Sequence, residues 1–247
     1  MKPFLLLSIR AEKPAADDEY DAFCRFLGVA PRDLHRVQLG SEPLGRVLLD
    51  NWAGILLGGG SFTYSDPEDT KSPAQRQAEV ELIGLLDQVV AADFPFLGAC
   101  YGIGTLGSHQ GGVVDRSHPE PVGPLSVSLT GDGMSDPLFA DVPRDFAAYG
   151  GHKEGLTSLP DHVVHLATSA ACPVQAFRVG EHVYATQFHP ELDLAGVRTR
   201  IDVYSTYGYF DPSEAATLRA LSATVDVIHP MTLLRNFSRR YRAVAKS

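Results

Sequence analysis

The sequence predicts an α/β fold: a doubly wound, mostly parallel sheet with flanking helices and a small antiparallel flank. Three observations carry the prediction. Apolar runs of strand length alternate with amphipathic stretches over the first ~110 residues, the order of parallel strands joined by helical crossovers. The runs Phe4 to Ile9, Trp52 to Leu57 and Phe94 to Ala99 are apolar on both faces, Ser8 being their one hydroxyl residue, as strands covered on both faces are. Two of them run into small residues, Gly58-Gly59-Gly60 and Gly98-Ala99-Cys100. Open sheets of this kind hold their ligands beyond the carboxyl ends of the strands.

The elements follow in order. Phe4 to Ile9 reads as a buried first strand. Asp17 to Leu27 has apolar residues near helical spacing, with Gly28 as its stop. Leu34 to Gln38 is a second strand and Trp52 to Leu57 a third. Residues 61 to 72 are rich in Ser, Asp and Thr and read as a loop. Pro73 to Ala92 is a long amphipathic helix whose proline sits in the first turn, where its missing N–H costs least. Phe94 to Ala99 is a strand, and Tyr101 to His109 opens a helix at once. From Leu125 the pattern shortens. Leu125 to Leu129 alternates, and Val163 to Thr168, Val174 to Val179 and His182 to Gln187 are short strands of an antiparallel or mixed flank. Residues 1–195 form the expected main domain. Residues 196–247 form a helical extension packed on it, with a basic end at Arg235, Arg239, Arg240, Arg242 and Lys246, read as a solvated helix face.

Composition narrows the partners. The chain has 247 residues, 44% hydrophobic and 21% charged, which suits one large globular domain with an appendage. Its net charge of -9 disfavours a nucleic-acid footprint, which needs a basic surface. Three cysteines, Cys24, Cys100 and Cys172, are odd in number and form no CxxC. That argues against a disulfide framework or structural zinc and fits a reducing, cytoplasmic setting. The N-terminal apolar run is too short for a secretory core, and no run reaches the ~18 apolar residues of a membrane span. The remaining histidines form no convincing ligand cluster, so neither a metal nor a cofactor is expected.

The chemistry concentrates in two places. Gly98-Ala99-Cys100-Tyr101-Gly102 has the form of a nucleophile elbow. A sharp strand-to-helix turn exposes the thiol, and the helix start beyond it favours thiolate. A thiol nucleophile needs a base and a group to orient it. Gln187-Phe188-His189-Pro190-Glu191 supplies both. In extended chain, His189 and Glu191 point the same way, and Pro190 biases His189 toward that conformation. Glu191 can then hold one ring nitrogen while the other faces Cys100. Gly58 and Gly59 allow close approach of backbone donors, and the N–H of Tyr101 completes a candidate oxyanion hole.

In this order the motifs resemble the class I (triad) glutamine amidotransferase family, nearest to its GMP-synthetase-like branch. Gly98, Cys100 and Gly102 match the elbow, Gly111-Gly112 a downstream pair, Gln187 to Glu191 the last segment, and Gly58-Gly59 the oxyanion loop. Leu233 to Phe237 looks like the ending of stand-alone members. The resemblance implies a flavodoxin-like fold. It also implies a thioester mechanism in which Cys100 attacks the side-chain amide of glutamine, His189 handles protons and Glu191 orients His189. Ammonia would pass to a separate synthase subunit.

Two positions depart from the family. Its substrate-binding glutamine four residues after the nucleophile is Gly104 here, and placing glutamine there is expected to raise activity on free glutamine. A second substrate segment, Ser-His-Gly-Asp-like in this branch, reads Gly151-His152-Lys153-Glu154. Gly151 and His152 are kept as candidate substrate contacts, although a His152 satisfied by backbone is the more ordinary reading; Lys153 and Glu154 read as surface. Two alternatives stay open. One is a stand-alone γ-glutamyl peptidase, similar to those of plants, using the same triad. The other is a non-catalytic binding or regulatory role, against which the intact Cys-His-Glu set argues.

Overall fold

The computed structural model describes residues 1–207 and 210–242. β1 (Phe4–Ser8), α1 (Lys13–Leu27), β2 (Leu34–Gln38), β3 (Gly54–Leu57), α2 (Pro73–Ala91), β4 (Phe96–Ala99) and α3 (Tyr101–His109) form the wound half. Then come β5 (Val113–Asp115), β6 (Glu120–Leu129), α4 (Gly131–Ser135), β7 (Asp145–His152) and β8 (Gly155–Ser158). They are followed by β9 (Val164–Ser169), β10 (Ala176–Val179) and β11 (Val183–Thr186). Helices α5 (Leu194–Tyr204), α6 (Ala215–Ser222) and α7 (Met231–Arg242) close the described chain.

Among the described residues, nine strands form one sheet in the order β2-β1-β3-β4-β11-β10-β9-β6-β7, and β5 pairs separately with β8. From β2 to β11 the pairings are parallel. From β11 outward they are antiparallel. The flank read from sequence is thus a wing of the main sheet.

Alternation along each strand divides the core. Leu5, Leu7, Ile55, Leu57 and Phe96 face Leu82, Leu86 and Val89 of α2 and Leu106 of α3. Phe4, Leu6, Leu56 and Leu97 face Phe23 and Leu27 of α1 and Leu233, Leu234 and Phe237 of α7. Burying one such side chain contributes about 1.5–3 kcal/mol, so helices on both faces are held by the same strands. Ser72 caps α2 by accepting the N–H of Gln75, and Gly28 ends α1 at φ 67°.

β7 was not foreseen. Its Ala147, Ala148, Gly150 and Gly151 carry little strand propensity, and it forms because β6 supplies a long partner. The basic end also departs from a solvated face. Arg235 and Arg239 are exposed, but Arg242 pairs with Asp33 at 2.8 Å and Arg240 donates to the Tyr184 hydroxyl at 3.2 Å. Lys246 lies outside the described residues.

Candidate active site

Cys100 stands where β4 gives way to α3. Its N–H donates to Thr186 O on β11 at 2.7 Å, and its backbone is held at φ 54°, ψ −89°. A positive φ in a non-glycine residue stores on the order of 1–3 kcal/mol. The tightness of the turn explains its glycines: a Cβ on Gly98 would lie 2.8 Å from the Cα of Gly102. Cys100 is the partly exposed cysteine, whereas Cys24 and Cys172 are buried.

His189 and Glu191 follow β11, the strand paired with β4. The His189 N–H donates to Tyr149 O at 3.0 Å. Its Nδ1 lies 2.8 Å from Glu191 Oε1, which leaves Nε2 for Cys100. Both residues are buried. Burial works against charge on the imidazole, but the Glu191 carboxylate and contact with Cys100 outweigh it and push His189 up to about 9. Burial likewise opposes ionisation of Glu191, yet His189, Arg200 and Arg10 hold it well below the usual carboxylate range. The cysteine, histidine and glutamate marked in the sequence therefore meet at one point.

The glycines divide their roles. Gly58 donates its N–H to Leu7 O at 3.0 Å, so that donor belongs to the sheet. A Cβ there would fall 2.5 Å from Glu19 Oε2, so Gly58 makes room for a buried carboxylate. A Cβ on Gly59 would lie 2.6 Å from His189 Cε1 and 3.1 Å from Cys100 Cβ. Gly59 is thus the residue of the triplet packed against His189 and Cys100. The N–H of Tyr101 belongs to the first turn of α3, and its side chain points elsewhere, its hydroxyl donating to Glu79 at 2.9 Å.

Cys100 sits at the junction of two depressions. One is lined by Phe62, Thr63, Tyr101, His152, Glu154 and Gln187. The other is lined by Arg10, Val122, Leu192, Arg200, Tyr204 and Phe210, and His189 lines this one alone. Gly60, Cys100 and Gly151 border both.

His152 is buried at the end of β7. Its Nδ1 lies 2.7 Å from Glu154 O and its Nε2 2.8 Å from Glu120 Oε2. Both ring nitrogens are therefore taken up by partners within the protein. Glu120 also accepts from Ser169 and Gln175. Burial opposes its ionisation, but these hydrogen bonds, His152 first, hold it below its ordinary value. The ligand atoms of Glu120, His152 and Cys172 lie within 4.8 Å of one another, a spacing a metal could bridge. The donors do not fit one: the histidine nitrogens are committed, and burial pushes the Cys172 thiol up to about 11.

Glu154 is buried rather than on the surface. Its carboxylate accepts the N–H groups of Tyr64 at 2.7 Å and Ser65 at 2.6 Å, pinning the 61–72 loop over the site. This also explains Gly104. A Cβ there would lie 3.3 Å from Tyr64 Cβ and 3.4 Å from Glu154 Oε1, so the pinned loop fills the space a longer side chain would need.

Sequence reading missed the charged residues around the triad. Arg10 binds Glu19 at 2.8 Å and donates to the Tyr204 hydroxyl at 3.0 Å, and Arg200 donates to Ala15 O at 2.8 Å. All of these are buried. A signal existed: Glu19 sits at helical spacing with Ala15, Ala22 and Phe23, and Arg200 with Val197 and Tyr204. A charge on an apolar helix face marks a buried network.

A thiol, an imidazole and a carboxylate thus stand in series at a strand end of an α/β sheet. The model of the "Glutamine amidotransferase class-I" family matches residues 37–201, and the chain belongs to that family. Its curated relatives include a GMP synthase [glutamine-hydrolyzing] subunit of Thermoplasma acidophilum, 30% identical over 148 residues, 59% of this chain and 66% of that one. GMP synthase [glutamine-hydrolyzing] of Hamiltonella defensa is 28% identical over 145 residues, 56% of this chain. The match spans only 25% of that protein's length. Among solved structures, a glutamine amidotransferase of Thermotoga maritima superposes with a TM-score of 0.72 at 20% identity, over 98% of this chain and all of that one. A putative GMP synthase subunit of T. acidophilum gives 0.64 at 22%, over the whole of both chains. At these identities the structures establish the α/β fold. Among the described residues no helix is long and apolar enough to cross a membrane.

Proposed function

We propose that this chain hydrolyses the side-chain amide of glutamine through a γ-glutamyl thioester on Cys100. The observation that carries the reading is the series Cys100, His189, Glu191, with the Nδ1–Oε1 contact of 2.8 Å fixing which imidazole nitrogen faces the thiol. The Cys100 thiolate attacks the amide carbon. The Tyr101 and Gly59 N–H groups stabilise the oxyanion. His189 protonates the departing ammonia, then takes a proton from the water that cleaves the thioester, and glutamate leaves. Glu191 keeps the ring oriented and stabilises its charged form.

The two depressions have distinct roles in this reading. A general acid must touch the leaving nitrogen, and His189 lines only the depression containing Arg10 and Arg200, so the leaving group departs there. The γ-glutamyl group then occupies the polar side, among His152, Glu154 and Gln187, with Gly151 at its border. A synthase that accepts the ammonia would be a separate chain, in keeping with the Thermoplasma relative, whose name makes it one subunit of a GMP synthase.

Glutamate release from glutamine by the purified protein, with Cys100→Ala as the blank, tests the reading. Turnover that disappears in the variant supports it; equal turnover in both proteins refutes it.

A further inference from the structure

A second cavity opens at the end of the sheet away from Cys100, and we propose that it binds a small phosphate monoester carrying a flat ring. The cavity takes no part in the thioester chemistry above. Its wall comes from residues that lead into the parallel strands: Lys2 before β1, Trp52 before β3, Phe94 before β4 and His182 before β11. Arg240 and Arg242 join them from the last turn of α7. Cys100 and His189 follow the other ends of β4 and β11, four strand residues away at ~3.3 Å each. The cavity measures about 370 Å³, within the range of roughly 300–1,000 Å³ that small-molecule sites occupy.

Its charge selects an anion. The wall holds three cations and no carboxylate. Arg242 is matched by Asp33 at 2.8 Å. Lys2 and Arg240 pair with no carboxylate among the described residues. Arg240 is turned inward, where Nη1 donates to the Tyr184 hydroxyl at 3.2 Å and Nη2 to His182 Nδ1 at 3.3 Å. The Tyr241 hydroxyl lies 3.1 Å from the same His182 nitrogen, which leaves Nε2 for a ligand. Asp93, beside Phe94 in the chain, spends its carboxylate on the N–H groups of Glu181 and His182, at 3.0 Å each. Two cations therefore stand unmatched at one cavity. A phosphate monoester carries about −1.5 to −2 at pH 7 and three acceptor oxygens, enough for both, and a guanidinium fork matches phosphate geometry. A single carboxylate would leave one cation unmatched.

The aromatic side chains select the ring. Trp52 is half-buried and stacked on His35, with centroids 5.7 Å apart and planes at 29°. Tyr241 is held edge-on by Phe237 and by His182. Both therefore present preset aromatic surface, which takes a flat partner ring with little loss of side-chain freedom.

Trp52 is the only tryptophan of the chain, so its emission reports on this cavity directly. The test titrates the whole protein with phenyl phosphate, inorganic phosphate and phenol, and follows both Trp52 emission and the heat of binding. Phenyl phosphate is expected to bind at least about 10-fold more tightly than either fragment, the scale of one charge-assisted hydrogen bond. Lys2 is exposed, so Lys2→Ala should keep the wild-type Tm and weaken phenyl phosphate about 5-fold, the upper scale of an exposed ion pair, without changing phenol. Arg240→Met should erase the preference for phenyl phosphate over phenol; where that variant does not fold, the fragment comparison and Lys2→Ala decide. Adenosine monophosphate in the same titration tells the kind of ring. Tighter binding than phenyl phosphate marks a nucleobase and weaker binding an aryl group, and either supports the proposal. Three results overturn it: no change in emission or heat at millimolar phenyl phosphate, equal affinity for inorganic phosphate, or equal affinity for phenol.

Discussion

Glu154→Gln separates the pinned-loop account from a surface role for this residue. The carboxylate accepts two backbone N–H groups, from Tyr64 and Ser65, at 2.7 and 2.6 Å. A glutamine keeps the shape but offers one oxygen. Its NH2 group then faces a backbone donor, so one charge-assisted bond is lost and the other weakened. Each such loss costs about 1.5–3 kcal/mol, giving roughly 2–4 kcal/mol in sum. For a chain of this size, 1 kcal/mol moves Tm by about 2–4 °C, so the expected drop is about 5–15 °C. The loop carries Phe62 and Thr63 into the polar depression, so KM for the γ-glutamyl substrate should rise at least several-fold more than kcat falls. Differential scanning calorimetry and steady-state kinetics on the same preparation read both. A Tm within about 1 °C of wild type and an unchanged KM would refute the reasoning.

Other expectations follow from the same geometry. Cys100→Gly should be more stable than Cys100→Ala by about 1 kcal/mol, measured by urea unfolding, because only glycine adopts φ 54°, ψ −89° without strain; equal stability would mean that the elbow stores none. Gly59→Ala should lower kcat/KM at least 100-fold, since its methyl group would displace His189 or Cys100. Gly104→Gln should lower Tm rather than raise activity, because overpacking against Tyr64 and Glu154 costs about 1–3 kcal/mol; a gain in glutamine turnover would show that the loop yields. The His189–Glu191 interaction sets a pH window. His189 is raised from 6.5 to about 9, so its stabilisation is complete below pH 6.5 and is lost as pH rises through about 9. At about 1.4 kcal/mol per pH unit the interval is worth roughly 3 kcal/mol. Glu191→Gln should flatten that alkaline decline in unfolding free energy; an equally steep decline would place its origin elsewhere.

The parallel strands were legible because their sequences are locally consistent. Phe4 to Ser8, Leu34 to Gln38 and Phe96 to Ala99 are apolar or half-apolar runs bounded by helix or turn signals, and nothing at a distance had to be known. The candidate site was legible for a similar reason: a glycine-flanked cysteine and a His-Pro-Glu step each carry a local backbone requirement. β7 was not, since Ala147-Ala148 and Gly150-Gly151 become strand only through pairing with β6. Glu154 and Arg200 were misjudged or passed over for one shared reason. A charged residue looks solvated until the partners that bury it are known, and here those partners are the backbone of Tyr64 and Ser65, 89 or 90 residues away, and that of Ala15, 185 residues away.

The most direct test of the central claim is the mass of the acid-quenched protein during turnover of glutamine. The account predicts the added mass of one γ-glutamyl group, located on the peptide containing Cys100 and lost with hydroxylamine, as a thioester would be. It should build up further in His189→Ala if acylation outlasts deacylation in that variant, and be absent in Cys100→Ala. Undiminished glutamate release from Cys100→Ala, with no acyl group on Cys100 in the wild type, would contradict the account.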